Sequence, residues 1–520
     1  MNCAGTIRKA ALTVGLLAVV WQPGCMTTNR EPAQASIRPL RIGIRGSMAT
    51  SNRVGALSYH ATFQEQTLLY ETLVKRDAEG RIVPALAAGW EFADGGRTVT
   101  LTLRKGALWH DGTPVTAEDV RIHFKRWLEL PEYAWIHSSE RVQELVAEGP
   151  DRLRITLSEP YALLPDLCAI RPCAVGGPGC LDRQGEWVHP VGSGPFRFVE
   201  LREKGRVHRL QRVRAAGEPV KPGDVIDLVP FDAERTEEQE PFEMFRRGRL
   251  DMLVDGWKSC IPREHVAWLR GKPGVHVQEA PGSVLHYVSF RLEGPTADKN
   301  LRQHVAAAFD RAALIQQVEG GYADATHSWT APTVKTWPQI PIPRPAGMEP
   351  RLERPLRLLG FQDHFRPRER ALCDTLAAQL KQAGIPVTVE LKAGEDYKQA
   401  VAGGQYDLRT EITWGVPYDP DMSVKARFLP PPFTRPTGAG NRFFGVDPRA
   451  ETLARQIAAT ADENDRLPLY NRMQRLLSEE ALVVPLYVPR RVVVIRGQEI
   501  DLPLDHDVYR DALTALSDLP

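Results

Sequence analysis

The chain has 520 residues, too many for one ordinary core, and its length points to two or three domains. Basic residues number 66 and acidic residues 65, a formal charge of +1, and 42% of residues are hydrophobic. That balance fits a soluble globular protein, gives no bulk-charge reason to expect a nucleic-acid partner or an anionic membrane, and comes with no internal repeat or low-complexity tract.

The first residues form a separate object. Arg8 and Lys9 precede a short apolar run over residues 10–21, too short to span a bilayer. It ends at Gln22, Pro23, Gly24 and Cys25, followed by a polar, tether-like stretch over 26–33. This resembles a lipoprotein export signal in which Cys25 becomes the acylated first residue and anchors the chain to the membrane. Gly24 and Cys25 fit the usual site; Gln22 and Pro23 stand where a leucine and a small residue are customary. The alternative is cleavage by an ordinary signal peptidase, leaving a free periplasmic protein. No other apolar run approaches 18 residues, so the mature chain is not expected to cross a membrane. Of seven cysteines, Cys3 leaves with the signal. Cys168, Cys173, Cys180, Cys260 and Cys373 remain, an odd set for pairing in an oxidising compartment. Cys173 and Cys180 flank a Gly/Pro-rich loop that could let them meet.

Along the mature chain, residues 40–44 read as an opening strand and 67–74 as a helical segment. Asp94, Gly95 and Gly96 read as a hairpin turn before an alternating strand over 98–104. Thr116, followed by Glu118 and Asp119, reads as a helix start, with a hydroxyl cap and acids at the positive end of the dipole. Although His110, Asp111, Glu118 and Asp119 are close in sequence, their spacing suits turn and cap roles rather than a metal or acid–base cluster. Residues 405–413 read as a strand stopped by Gly415, Pro417 and Pro420. Trp414 and Tyr418 flank that stop. In α/β domains ligands collect outside the carboxyl ends of strands, where such rings can wall a pocket. The alternative is that Trp414 is core and Tyr418 caps a loop. No Gly-x-Ser-x-Gly elbow or His-Glu-x-x-His motif occurs, and Glu264-His265 and Asp363-His364 are isolated pairs, so catalysis is not expected.

One long stretch carries a family resemblance. Tyr70, Glu71, Leu73 and Val74 are followed by Pro84, Leu86, Ala87 and Trp90, then by Asp94, Gly95 and Thr98. The pattern continues through Leu103, Arg104, Gly106, Trp109, Asp111, Gly112, Pro114, Thr116, Ala117, Glu118, Asp119 and Val120. It resembles the solute-binding proteins of the peptide/nickel class of ABC importers, at nearly every fixed position. Gly192-Ser-Gly-Pro-Phe196, Arg246 to Met252, Leu301 to Arg311, Gly320 to Ala325, Thr330 to Pro332 and Val483 to Tyr487 continue the match.

The resemblance implies an α/β fold: a bilobal periplasmic-binding-protein clamp of type II, cluster C, with an inserted extra subdomain. It places a signal at 1–25, a linker at 26–38, lobe I at 39–57, 190–281 and 491–520, the insert at 58–189, and lobe II at 282–490. It implies a monomer in the periplasm or at the cell surface, a small-molecule guest, and permease and ATPase subunits as partners, with no cofactor of its own.

Peptide binders of the family carry an aspartate three residues after the tryptophan of the 413–420 loop, to pair with the peptide amino terminus. Here Pro417 occupies that position and can accept no such bond. Thr413 to Pro420 instead resembles the nickel-binding member and its metallophore-binding relatives, as do Tyr133, Trp135, Ile170, Arg171 and Pro172. That likeness makes Arg171 a carboxylate clamp for a metal chelate, with Trp135, Trp414 and Tyr418 as aromatic walls. It sets Phe63 near the metal and Tyr397 as a further contact. Guanidinium matches outward carboxylates with two parallel bonds, and aromatic rings accept flat faces. The nickel binder's histidine from the following loop has no counterpart in residues 428–441. Either the chelator saturates the metal, or His60 or His137 substitutes, or Arg435 or Arg442 meets a carboxylate. The alternative guest is a short peptide or an opine-like amino-acid derivative. Arg171→Ala should weaken guest binding by roughly 2–5 kcal/mol, the usual loss for one partner of a desolvated charge pair; an unchanged titration isotherm would remove Arg171 from the site.

Overall fold

The computed structural model describes residues 38–45, 63–77, 79–129, 141–169, 175–183, 188–203, 207–215, 218–219, 221, 223–231, 240–254, 261–347, 351–362, 368–413, 415, 418–429 and 446–497. The chain opens with β1 (Leu40–Arg45) and then departs through α1 (Phe63–Leu69), β2 (Val74–Arg76), β3 (Ile82–Pro84), β4 (Ala87–Ala93), β5 (Thr98–Leu103), α2 (Ala117–Glu129), β6 (Val142–Ala147), β7 (Arg152–Leu157) and α3 (Leu163–Ala169). It returns beside β1 with β8 (Phe196–Arg202), β9 (Val207–Arg212), β10 (Val225–Phe231), α4 (Pro241–Arg246), β11 (Met252–Val254), α5 (Arg263–Arg270) and β12 (Val275–Ala280). Beyond residues 281–285 come β13 (His286–Phe290), α6 (Lys299–Ala308), α7 (Arg311–Glu319), β14 (Ala323–Ala325), β15 (Leu356–Phe361), α8 (Glu369–Gln382), β16 (Val387–Lys392), α9 (Gly394–Ala402) and β17 (Leu408–Ile412). Then α10 (Asp421–Phe428), α11 (Pro448–Ala459), α12 (Glu463–Glu479) and β18 (Val483–Pro489) lead back to β19 (Arg491–Arg496).

Two mixed sheets organise two lobes. Lobe I is built on the order β12-β19-β11-β1-β10-β9-β8 and lobe II on β14-β18-β13-β17-β15-β16. The chain crosses between them twice, at 281–285 and at Arg490. β1 lies parallel between β10 and β11, and β15 parallel between β16 and β17, as buried inner strands linked by crossovers do. The excursion between β1 and β8 builds the insert on a four-stranded antiparallel sheet, β4-β5-β7-β6, with the β2-β3 pair beside it.

Local chemistry explains the insert's elements. The turn from β4 to β5 runs through Asp94, Gly95 and Gly96, all at positive φ, and Asp94 accepts a bond from the Thr98 hydroxyl at 2.7 Å. β5 does not alternate as the sequence suggests: every residue but Thr102 is buried. It is flanked by β4 and β7 and covered on both faces, which removes the polar side. Thr116 and Asp119 cap α2 reciprocally, the Asp119 amide donating to the Thr116 hydroxyl oxygen and the Thr116 amide to the Asp119 carboxylate, each at 3.2 Å. Asp111 accepts from the Thr113 amide in a tight turn.

The helix expected over 67–74 stops at Leu69, and Val74 already belongs to β2. The cause is a close backbone approach. The Leu69 carbonyl accepts from the Gly194 amide at 3.0 Å instead of from a residue further along the helix. A β-carbon on Gly192 would sit 1.8 Å from that oxygen. Cys180 is a free buried thiol with Sγ 3.0 Å from the Val191 carbonyl oxygen, so it is not bridged to Cys173, which lies outside the described residues. Cys168 and Cys373 are likewise buried thiols. Burial pushes the Cys168 and Cys180 thiols up to about 12, away from the reactive thiolate form. Among the described residues no helix is long and apolar enough to cross a membrane.

Lobe I buries Ile42, Phe196, Leu228 and Met252 on one face of its sheet and Phe245, Leu253 and Val266 on the other. Lobe II buries Val288, Leu358, Leu372 and Leu408. The insert shares one apolar cluster with α10, α11 and α12. At the crossovers the backbones touch: a β-carbon on Gly282 would lie 1.9 Å from the Pro489 carbonyl oxygen. Arg491 donates to the Pro281 carbonyl at 2.8 Å, and Arg263 of α5 reaches the Arg490 carbonyl at 2.8 Å and Glu319 of α7 at 3.4 Å. Gly282→Ala should therefore cost about 3 kcal/mol in urea unfolding, at the upper end for overpacking. Gly89→Ala, where no atom lies within 4 Å of the added carbon, should stay within about 0.5 kcal/mol.

Candidate functional site

β17 carries the candidate loop. The residue pattern puts the start of this strand at Gln405; it begins at Leu408, because Gly403 and Gly404 turn the chain and the Asp407 carboxylate is taken by Arg354 at 2.6 and 2.8 Å and by the Arg357 amide. Its far end is clasped to the first crossover. The Thr413 amide donates to the Leu285 carbonyl at 2.9 Å, and the Leu285 amide donates to the Thr413 hydroxyl oxygen at 3.1 Å. Gly415 follows at φ 74°, with Val284 and Ser283 so close that a β-carbon would fall within 3 Å of both. Only glycine fits there. The Tyr418 and Asp419 amides both donate to the Gly415 carbonyl, at 2.8 and 3.0 Å, closing a turn that feeds directly into α10.

Tyr418 is 8% exposed and packs in the cluster that holds Tyr287, Met422 and Val424. Asp419 is fully buried; the Ser423 hydroxyl donates to it, and desolvation pushes its carboxyl up to about 6 against the opposing hydroxyls of Ser423 and Thr413. Two residues on, burial would raise the Asp421 carboxyl too, but Arg466 and Arg76 outweigh it and hold the group below the usual carboxylate range. The same contest is won by the cations at Glu411 on β17. Burial is opposed there by Arg409 at 2.5 Å and Arg427 at 3.7 Å, and the carboxyl is held low. The Arg409–Glu411 pair was not singled out from the sequence. Its signal was present as two opposite charges, two residues apart, in an otherwise β-branched strand whose alternate residues share a face.

Tyr397 sits on α9, its ring 4.7 Å from that of Phe361, the last residue of β15. Because β15, β16 and β17 run parallel, Phe361, the start of α9 and Thr413 all lie at the carboxyl ends of these three strands. Phe63 is the first residue of α1, which lobe I holds through a buried Glu65–His208 contact of 2.5 Å to β9; its side chain is outside the described residues. Trp135, Arg171 and Trp414 lie outside the described residues, as do His60, His137, Arg435, Arg442 and Cys25. Arg171 follows the end of α3 by two positions, and Asp166 of α3 is 2.5 Å from Lys425 of α10. Among the described residues no group of three or more His, Cys, Asp or Glu side chains could hold a metal.

Two lobes, each built on a mixed sheet and joined by a pair of crossovers, define a solute-binding clamp. The bacterial extracellular solute-binding proteins, family 5, match residues 81–433, more than half of the chain, and the chain belongs to that family. It is a substrate-binding protein of the ABC-transporter type, not an enzyme. The nickel-binding periplasmic protein of Escherichia coli K12 is 24% identical over 474 residues, covering 84% of this chain and 87% of that one. Probable di/tripeptide-binding protein 5 of Pseudomonas aeruginosa is 25% identical over 539 residues, covering 95% and 96%. NikA from Brucella suis, solved in complex with Fe(III)-EDTA, superposes with a TM-score of 0.73 at 20% identity over 93% of this chain and 100% of that one.

The elevated Asp419 carboxyl has a pH consequence. Its folded pKa, about 6, lies above the unfolded value near 4, so its contribution to stability is full below about pH 4 and is lost as pH rises to about 6. Asp419→Asn keeps the acceptor for Ser423 and removes the charge. In chemical denaturation the variant should gain about 3 kcal/mol on the wild type between pH 4 and pH 7; a constant difference would show that Asp419 is ionised throughout.

Proposed function

We propose that the protein captures a metal chelate of the nickel type in the cleft between its lobes and delivers it to the permease and ATPase of an ABC importer. The observation that carries this reading is the loop at the end of β17. It is clasped to a crossover at Leu285 and leads into a helix paired with the one that precedes Arg171. A carboxylate-bearing chelate would be gripped by Arg171 and walled by Trp135, Trp414 and Tyr418, with Phe63 and Tyr397 at the margins. Pro417 supplies no carboxylate for a peptide ammonium, which favours the chelate over the peptide. The nickel-binding relative and the neighbour holding Fe(III)-EDTA support the same choice, while the di/tripeptide-binding relative keeps a peptide or opine-like guest as the second reading. The chelator's own atoms would supply the metal ligands, with His60 or His137 as the protein's possible additions. Cys25 would carry the lipid that holds a monomeric receptor at the outer face of the membrane, with lobes divided near residues 190, 282 and 491.

Closure on the guest is a population shift, driven only by contacts that exist when the lobes are shut. A thermal-shift screen tests the guest. Nickel–histidine and other metal–chelator complexes at 100 times their dissociation constant should add about 2.7 kcal/mol. Stabilisation by di- to pentapeptides and not by chelates would overturn the chelate reading.

A further inference from the structure

The insert belongs to lobe I by connection and by packing. Leu68, Leu69, Tyr70, Trp109 and Cys180 share an apolar cluster with Ile42, Phe196 and Leu228, and the His110 amide donates to the Gly192 carbonyl at 2.8 Å. Yet its other side meets lobe II through charges that no solvent reaches. Lys425 of α10 lies 2.5 Å from Asp166 and 2.7 Å from the Tyr161 hydroxyl, which itself donates to Asp166 at 2.5 Å. Four residues earlier on α10, Asp421 accepts from Arg76 of β2 at 2.6 Å and from the Tyr470 hydroxyl at 2.7 Å. All four charged side chains in these two pairs are at most 1% exposed. Backbone bonds from Ala162 to Ala458, 2.8 Å, and from Lys335 to Glu79, 2.9 Å, cross the same boundary.

We infer that α10 is the closure latch of the clamp: Lys425–Asp166 and Asp421–Arg76 join only when the lobes are shut, and these four residues are positioning residues that set how firmly a guest is retained. A fully desolvated pair gains little over the solvated ions, so it can part reversibly. A lone charge left in its place is penalised heavily, so the pairs admit one closed register and reject others. The helix that carries them starts at Asp421, directly after the turn that the Tyr418 and Asp419 amides close on the Gly415 carbonyl. The inference rests on the bilobal architecture and not on which guest is bound.

Hydrogen exchange of the full chain without any guest tests it. In the wild type, the Ala162 and Lys335 amides should exchange at least ten-fold faster than amides of β13 and β17, through opening of the lobes. Lys425→Met strands Asp166, and Arg76→Met takes one of the two cations from Asp421, leaving it Arg466 at 3.4 Å. Both should speed exchange of the two boundary amides a further ten- to hundred-fold, leaving the sheets unchanged. Lys425→Met combined with Asp166→Leu strands no charge and should bring the boundary back to within about three-fold of wild type. Boundary amides that exchange together with the sheets in the wild type and in the double variant would overturn the latch and make this contact a permanent part of the core. The double variant decides the matter even where a single one does not fold.

Discussion

The two hydrogen bonds between Thr413 and Leu285 hold the clamp's chemistry and its mechanics together. One residue directly follows β17; the other lies in a segment that joins the lobes. Because the exchange uses a backbone amide and a side-chain hydroxyl, it fixes both direction and distance. Gly415 then folds back over Ser283 and Val284 with no room for a side chain. Any displacement of the loop is therefore passed to the crossover, and a change of lobe angle is passed to the loop. Coupling of this kind needs no long pathway, since the two elements are in contact.

Buried charge is the second theme. Around α10 the molecule sequesters Asp419, Asp421, Lys425, Arg427 and Arg409, with Glu411 half-buried beside Arg409 and Arg427. Desolvation disfavours the ionised form of each of these carboxyls, and its partners decide whether it stays charged. Asp421 and Glu411, each with two cations, remain acidic; Asp419, helped chiefly by hydroxyls, does not. Asp166 is likewise raised by burial, despite Lys425. The helix thus combines groups with very different sensitivity to their surroundings, which suits an element that must sit in one register.

Much of the fold was legible in the sequence because its signals are local. The Asp94–Gly95–Gly96 turn, the Thr116–Asp119 cap and the Asp111 turn each depend on residues a few positions apart. The termination of α1 at Leu69 was not legible, since its cause is Gly194, far along the chain. The loss of alternation in β5 had the same origin in tertiary covering. The latch pairs were invisible for a stronger reason: Arg76 and Asp421 are 345 residues apart, and nothing in either's neighbours announces the other. Of the site, the strand end, the glycine and Tyr418 could be placed from the pattern of stops after β17. Tyr418's burial within the shared cluster could not, because a cleft wall and a core residue carry the same ring.

The close approach of Gly282 to Pro489 says how the molecule can bend. Two ribbons laid flank to flank, without space for a methyl group between them, cannot slide past each other or twist separately; they flex as one leaf. Such a leaf permits swing about a single line and resists swivel, so the mouth can gape only on the side away from the joint.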